Sequence, residues 1–133
     1  MILVSKGQEA KERVIQLTNA ALERKAKNLT ILGVKELSSF TDYFIICSGS
    51  SDRQVRAIAD SIEKRMKESG VLPLGVEGRQ SAGWLLMDYG DVVVHVFHEP
   101  VREFYDIERL WSEASVMKVE ENTQSINSLD NDM

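Results

Sequence analysis

The sequence predicts an α/β fold, a mixed five-stranded sheet with helices packed on it. Three observations carry that expectation. The apolar run Tyr43-Phe44-Ile45-Ile46-Cys47 has strand length, and it meets a turn of small residues and then a helix-periodic stretch. Such a strand–turn–helix order feeds a crossover connection. Tyr89-Gly90 joins two further apolar segments as a tight hairpin signal, which adds an antiparallel pair. Val92 to Val96 is apolar on both faces and therefore belongs inside the sheet.

The elements follow in order. From Ser5 to about Ala26, Ala10, Val14, Leu17 and Ala21 recur at helical spacing, with Ile15 and Leu22 widening the stripe and Ser5 as its cap. Leu29 to Leu37 alternates as a strand, weakened by Gly33. Ser38 to Asp42 is a short turn before the strand at 43–47. The second helix shows Val55, Ile58, Ala59, Ile62 and Met66 on one face, with Ser51 or Asp52 as cap and Gly70 as stop. Leu72 to Glu77 is a strand whose Pro73 suits an edge or strand start. Trp84 to Asp88 and Asp91 to Phe97 are the hairpin strands. In the first of them Trp84, Leu86 and Asp88 share one face, and Leu85, Met87 and Tyr89 take the other. Pro100 opens a last helical region with Val101, Phe104, Ile107 and Trp111 facing inward. After Ala114 the periodicity dissolves. The expected organisation is one domain over residues 1–114 and an acidic, disordered tail over 115–133.

Composition narrows the function classes. A chain of 133 residues fits one compact domain. No apolar run approaches the ~20 residues that span a bilayer, and the start lacks the charged head and long apolar stretch of a signal peptide. One cysteine, Cys47, leaves neither an intramolecular disulfide framework nor a cysteine-rich zinc site. A cytoplasmic, reducing compartment is the expectation, with no membrane partner. The net charge of −5 is unevenly spread: residues 1–35 carry +4, residues 72–111 carry −4, and the final 22 residues carry −4. A protein that grips phosphates is usually basic overall. The acidic half of this one is suited to a basic protein, and no sequence-specific nucleic-acid partner is expected.

Several groups invite chemistry. The turn Ser48-Gly49-Ser50-Ser51 before a helix has the form of a phosphate cradle. It lacks the lysine of a Walker loop, and the convergent carboxylates of a nucleotidyltransferase are missing, because Asp88 and Asp91 flank a hairpin. A tight turn with a helix cap accounts for it. Cys47 ends an apolar run, where a buried, inert thiol is expected. His95 alternates with Asp91, Val93 and Phe97 on one strand face and reads as a core or half-buried histidine. His98 and Glu99 beside it are weak metal-ligand spacing. Arg53, Arg56 and the cations of the first helix read as solvated faces without interleaved aromatics. Trp84 follows the polar, glycine-bearing stretch 76–83, and is either a core plug or an interface anchor.

These segments also carry a family resemblance. Thr41-Asp42-Tyr43-Phe44-Ile45-Ile46-Cys47-Ser48-Gly49-Ser50-Ser51-Asp52-Arg53-Gln54-Val55 resembles the first signature of the Iojap-like ribosomal silencing factors. Leu74-Gly75-Val76-Glu77-Gly78, Trp84, and Asp88-Tyr89-Gly90-Asp91-Val92-Val93-Val94-His95-Val96-Phe97 resemble the second. Phe104-Tyr105-Asp106-Ile107-Glu108-Arg109-Leu110-Trp111 resembles the third. The resemblance runs from about residue 8 to 114. It implies a scaffold related to nucleotidyltransferases with catalysis absent, so neither an enzyme nor a cofactor is expected. It implies binding to the large ribosomal subunit through ribosomal protein fourteen, blocking of small-subunit joining, and repression of translation when nutrients are scarce. Organelle relatives act in large-subunit assembly, and homodimers are common. On that reading Trp84 anchors the partner beside Leu85 or Leu86. Glu77 and Asp88 meet lysine or arginine, Ser81 lies at the rim, and Tyr89 and Asp91 are nearby.

Overall fold

A computed structural model describes residues 6–80 and 83–133. The expected cap Ser5 and the candidate rim residue Ser81 lie outside the described residues. Ten elements follow in order: α1 (Lys6–Glu23), β1 (Lys27–Gly33), β2 (Tyr43–Gly49), α2 (Asp52–Glu68), β3 (Gly75–Glu77), β4 (Trp84–Asp88), β5 (Val92–His98), α3 (Glu99–Tyr105), α4 (Ile107–Leu110) and β6 (Ser115–Lys118). They build one mixed sheet in the order β3-β4-β5-β2-β1-β6, in which β2 and β5 are parallel and the other pairs antiparallel. The α/β expectation holds, and β5 is interior as its two-sided apolar pattern required.

The sheet has six strands where five were expected. The sixth, β6, pairs along β1 from Thr30↔Lys118 to Gly33↔Ser115. It lies in the segment expected to be a disordered tail, and that expectation is corrected here. Beyond β6, the Asn19 side chain donates to the Ile126 carbonyl (3.0 Å) and accepts from the Ile126 amide (2.8 Å). Val119, Ile126, Leu129 and Met133 pack on the main core. Their spacing of seven, three and four is one a helix would give, yet residues 119–133 form no helix, so the period does not report how they pack.

Two cores lie on opposite faces of the sheet. One face carries α1 and α2, packed through Val14, Leu17, Ile58, Ile62, Leu85 and Met87 among others. Ser61 Oγ donates 2.9 Å to the Ala20 carbonyl and ties the two helices. The inward stripe of α2 is the one its spacing predicts: Val55, Ile58, Ala59, Ile62 and Met66 are buried. Ser51 caps it by accepting from the Gln54 amide. The other face is covered in part by α3 and α4, with Ile107 buried against Leu32, Val34, Phe44, Ile46, Val93 and Phe97, and with Trp84, Leu86, Val101 and Trp111 alongside. The last helical region is two helices, since Asp106 takes a left-handed conformation (φ 44°) between them. Phe104, on α3 ahead of that break, is 81% exposed, which corrects the expectation that it faces inward: the inward spacing of one continuous helix does not hold across two.

Candidate functional site

The half-covered face of β4 and β5 places the candidate site. Along β4 burial alternates, with Leu85 and Met87 buried and Trp84, Leu86 and Asp88 half-buried. Antiparallel pairing sets Glu77 on β3 directly opposite Leu86 and therefore on the same face. A groove of about 760 Å³ opens there, lined by Glu77, Gly78, Trp84, Leu86, Pro100, Val101, Phe104 and Tyr105. The Trp84 ring lies 4.9 Å from Phe97 on one strand and 4.9 Å from Tyr105 on α3, which joins strand and helix walls. Phe104 meets Tyr105 edge-on at 5.1 Å.

Two glycines shape the approach to Trp84. Gly78 has φ +90°, and a Cβ there would overlap the Trp84 carbonyl oxygen. Gly83 has φ +97°, and a Cβ there would press into Val101. Both positions need glycine's conformational range and its lack of a side chain.

The structure sorts the predicted residues. Trp84, Leu86 and Glu77 meet in the groove. Leu85 is 2% exposed and Tyr89 4% exposed, both turned into the helix-side core, so neither offers a contact surface. The cause is strand alternation, which puts them on the face opposite Trp84. Burial pushes the Tyr89 hydroxyl up to about 12, with Glu63 adding to the shift and Arg79 opposing it. Asp88 lies at the far end of β4 from Trp84, roughly 13 Å along the strand at 3.3 Å per residue. Its Oδ1 accepts from the Gly90 amide at 2.8 Å and fixes the hairpin turn. Asp91 pairs with Arg13 at 3.0 Å. Its carbonyl also accepts from the Asp42 and Tyr43 amides, which makes it a structural clamp at the base of the sheet. The groove residues that sequence reading missed are Gly78, Pro100, Val101, Phe104 and Tyr105. The adjacent aromatics Phe104-Tyr105 were a usable signal, because two neighbours on a helix do not both face one core.

The small-residue turn is closed by its own helix. Gln54 Oε1 accepts from the Ser50 amide (2.6 Å) and the Ser50 hydroxyl (2.7 Å), and Gln54 Nε2 donates to the Arg24 and Lys25 carbonyls. The amide that would cradle a phosphate is engaged within the chain. Cys47 is fully buried, and burial raises its thiol to about 12, far from a reactive thiolate. Among the described residues no group of three or more His, Cys, Asp or Glu is placed to hold a metal ion. No helix among them is long and apolar enough to cross a membrane.

Comparison with known proteins accords with this fold. The sequence model of the family described as "Ribosomal silencing factor during starvation" matches residues 7–132, which takes in β6 and the segment after it. A Halalkalibacterium halodurans protein named ribosomal silencing factor RsfS is 41% identical over 110 residues, which are 82% of this chain and 94% of that protein. Its Bacillus subtilis namesake is 41% identical over 102 residues, 76% of this chain and 86% of that protein. More distant, a mouse protein named mitochondrial assembly of ribosomal large subunit protein 1 is 29% identical over 106 residues, 77% of this chain and 46% of that protein. The crystal structure of a Chromobacterium violaceum protein superposes with a TM-score of 0.74 at 36% identity, and covers 88% of this chain and 92% of its own. With a match along nearly the whole chain in both sequence and fold, this chain belongs to the ribosomal silencing factor family.

Proposed function

We propose that this chain docks on the large ribosomal subunit through ribosomal protein fourteen and keeps the small subunit from joining, repressing translation when nutrients are scarce. The groove is the observation that supports this most. It has Trp84 and Leu86 as its floor, Phe104 and Tyr105 exposed beside them, and Glu77 at its edge. Open apolar surface of this kind on a small domain marks an interaction site, and a half-buried tryptophan is a typical anchor. Ribosomal proteins are basic, and the −4 of residues 72–111 has the sign that steers one toward this surface. Glu77 meets lysine or arginine of the partner. Asp88 extends the acidic surface along the same face, and Ser81 belongs to the rim on sequence order alone.

The block is steric. A domain of ~110 residues has a radius of gyration of roughly 13 Å, and about 800 Å² of buried surface on each partner is enough to hold it. A body of that size at the meeting face of two subunits prevents their closure. In this reading the chain is a cytoplasmic binding protein with no catalytic step, and the homodimer implied by the family resemblance is tested by equilibrium sedimentation. Calorimetric titration with purified ribosomal protein fourteen tests the dock. Saturable binding that Glu77→Lys weakens is expected, and absence of binding by the folded wild type overturns it.

A second reading, large-subunit assembly, is favoured by the name of the mouse relative. It uses the same dock, and differs in leaving the joining of finished subunits unaffected.

A further inference from the structure

The one polar atom of Trp84's side chain is turned away from water. Trp84 Nε1 donates to His95 Nδ1 at 3.1 Å. His95 sits on β5 opposite Leu86 and is 6% exposed. Because Nδ1 accepts, the imidazole proton resides on Nε2. Nε2 is buried without a hydrogen-bond partner. Aromatic rings enclose the imidazole: Phe44 stands edge-on at 5.2 Å, and Phe97 lies nearly parallel at 6.2 Å.

An indole on a strand has two broad, near-opposite settings about its outer torsion. A buried acceptor decides between them, since only one setting satisfies the indole N–H. We infer that His95 is the positioning residue that fixes the Trp84 ring in the groove with its N–H turned into the fold. The partner therefore meets carbon surface at Trp84, with the Glu77 carboxylate as the nearby polar group. Recognition at this position is by stacking and apolar contact and not by a hydrogen bond to the indole. The inference deepens the docking reading and rests on it.

Nitrogen NMR on the unmodified, isotope-labelled protein tests the first half. The chain has two tryptophans, Trp84 and Trp111, and Trp84→Phe assigns their indole signals. The expected result is a His95 imidazole protonated on Nε2 only, with a Trp84 indole proton protected from solvent exchange. A proton on Nδ1, or a freely exchanging indole, overturns the inference. His95→Leu tests the second half. It should free the Trp84 indole proton and weaken binding to purified large subunits about five- to tenfold, the scale of one lost hydrogen bond. His95→Asn, whose amide oxygen can stand where Nδ1 stood, should restore both readouts for the most part. A folded His95→Leu protein with unchanged indole signal and affinity contradicts the inference. If His95→Leu does not fold, the wild-type tautomer and the Asn variant decide. Wild-type protein with the expected tautomer that fails to bind large subunits overturns the docking reading, and leaves the Trp84–His95 arrangement standing.

Discussion

Arg102 reaches from α3 into the sheet, where its Nη1 donates 2.8 Å to the hydroxyl of the fully buried Ser48 on β2. The same nitrogen donates 2.8 Å to the Asn28 carbonyl, and Nε pairs with Glu108 at 3.0 Å. The side chain, 11% exposed, thus ties α3, the helix that carries Phe104 and Tyr105, to β1, β2 and α4.

Arg102→Met should therefore lower stability by about 2–3 kcal/mol, the cost of leaving buried acceptors and a charged partner unpaired. Denaturant unfolding measures it. The loss of the Tyr105 ring contact with Trp84 should appear in the same sample as a shift in tryptophan fluorescence.

Trp84→Ala should weaken binding to ribosomal protein fourteen by about 2 kcal/mol or more, as truncation of a central aromatic anchor does. The fold should persist, since Trp84 is half-buried and the two cores remain. Equal affinity in a folded variant removes Trp84 from the interface.

Gly78→Ala should destabilise by about 2 kcal/mol or more, because it combines a positive φ with overlap on the Trp84 backbone. Thermal unfolding reads this, and partner affinity should fall with it because the groove wall moves.

Burial holds the His95 imidazole down at about 4, against an ordinary value of 6.5. The unfolded chain therefore takes up the proton first. The contribution is complete above pH 6.5, is lost as the pH falls from 6.5 toward 4, and amounts to a loss on the order of 3 kcal/mol. The stability gap between wild type and the non-titrating His95→Asn should shrink over that window. A gap independent of pH contradicts the burial account.

Lys25, on the turn after α1, and Lys27, the first residue of β1, are both exposed. Reversing both charges should leave large-subunit binding nearly intact if the groove is the dock. Abolished binding in a pull-down would move the interface to the basic end of the molecule.

Legibility from sequence follows from how local each cause is. The α2 stripe, its Ser51 cap, the alternation on β4 and the interior place of β5 all arise from periods of two or 3.6, and these were readable. The turn of α3 at Asp106 rests on one residue in a left-handed conformation, and nothing in a continuous apolar spacing reports it. Phe104 was therefore placed inward and the groove wall missed. β6 depends on β1, 82 to 88 residues away in sequence, and the segment after it on Asn19, 107 residues from Ile126. A polar stretch gives no local sign of such partners. For the site, the face shared by Trp84 and Leu86 was legible, and so were the opposite placements of Leu85 and Tyr89. The family resemblance had drawn those two toward the interface against the strand's own alternation.

The most direct test of the central claim is a sucrose-gradient association experiment with purified small and large subunits, run with wild-type protein and with Trp84→Ala. The account predicts that saturating wild type sediments with the large subunit and depletes joined ribosomes, while the variant does neither. Joined ribosomes formed undiminished with the wild-type chain bound to the large subunit would contradict it.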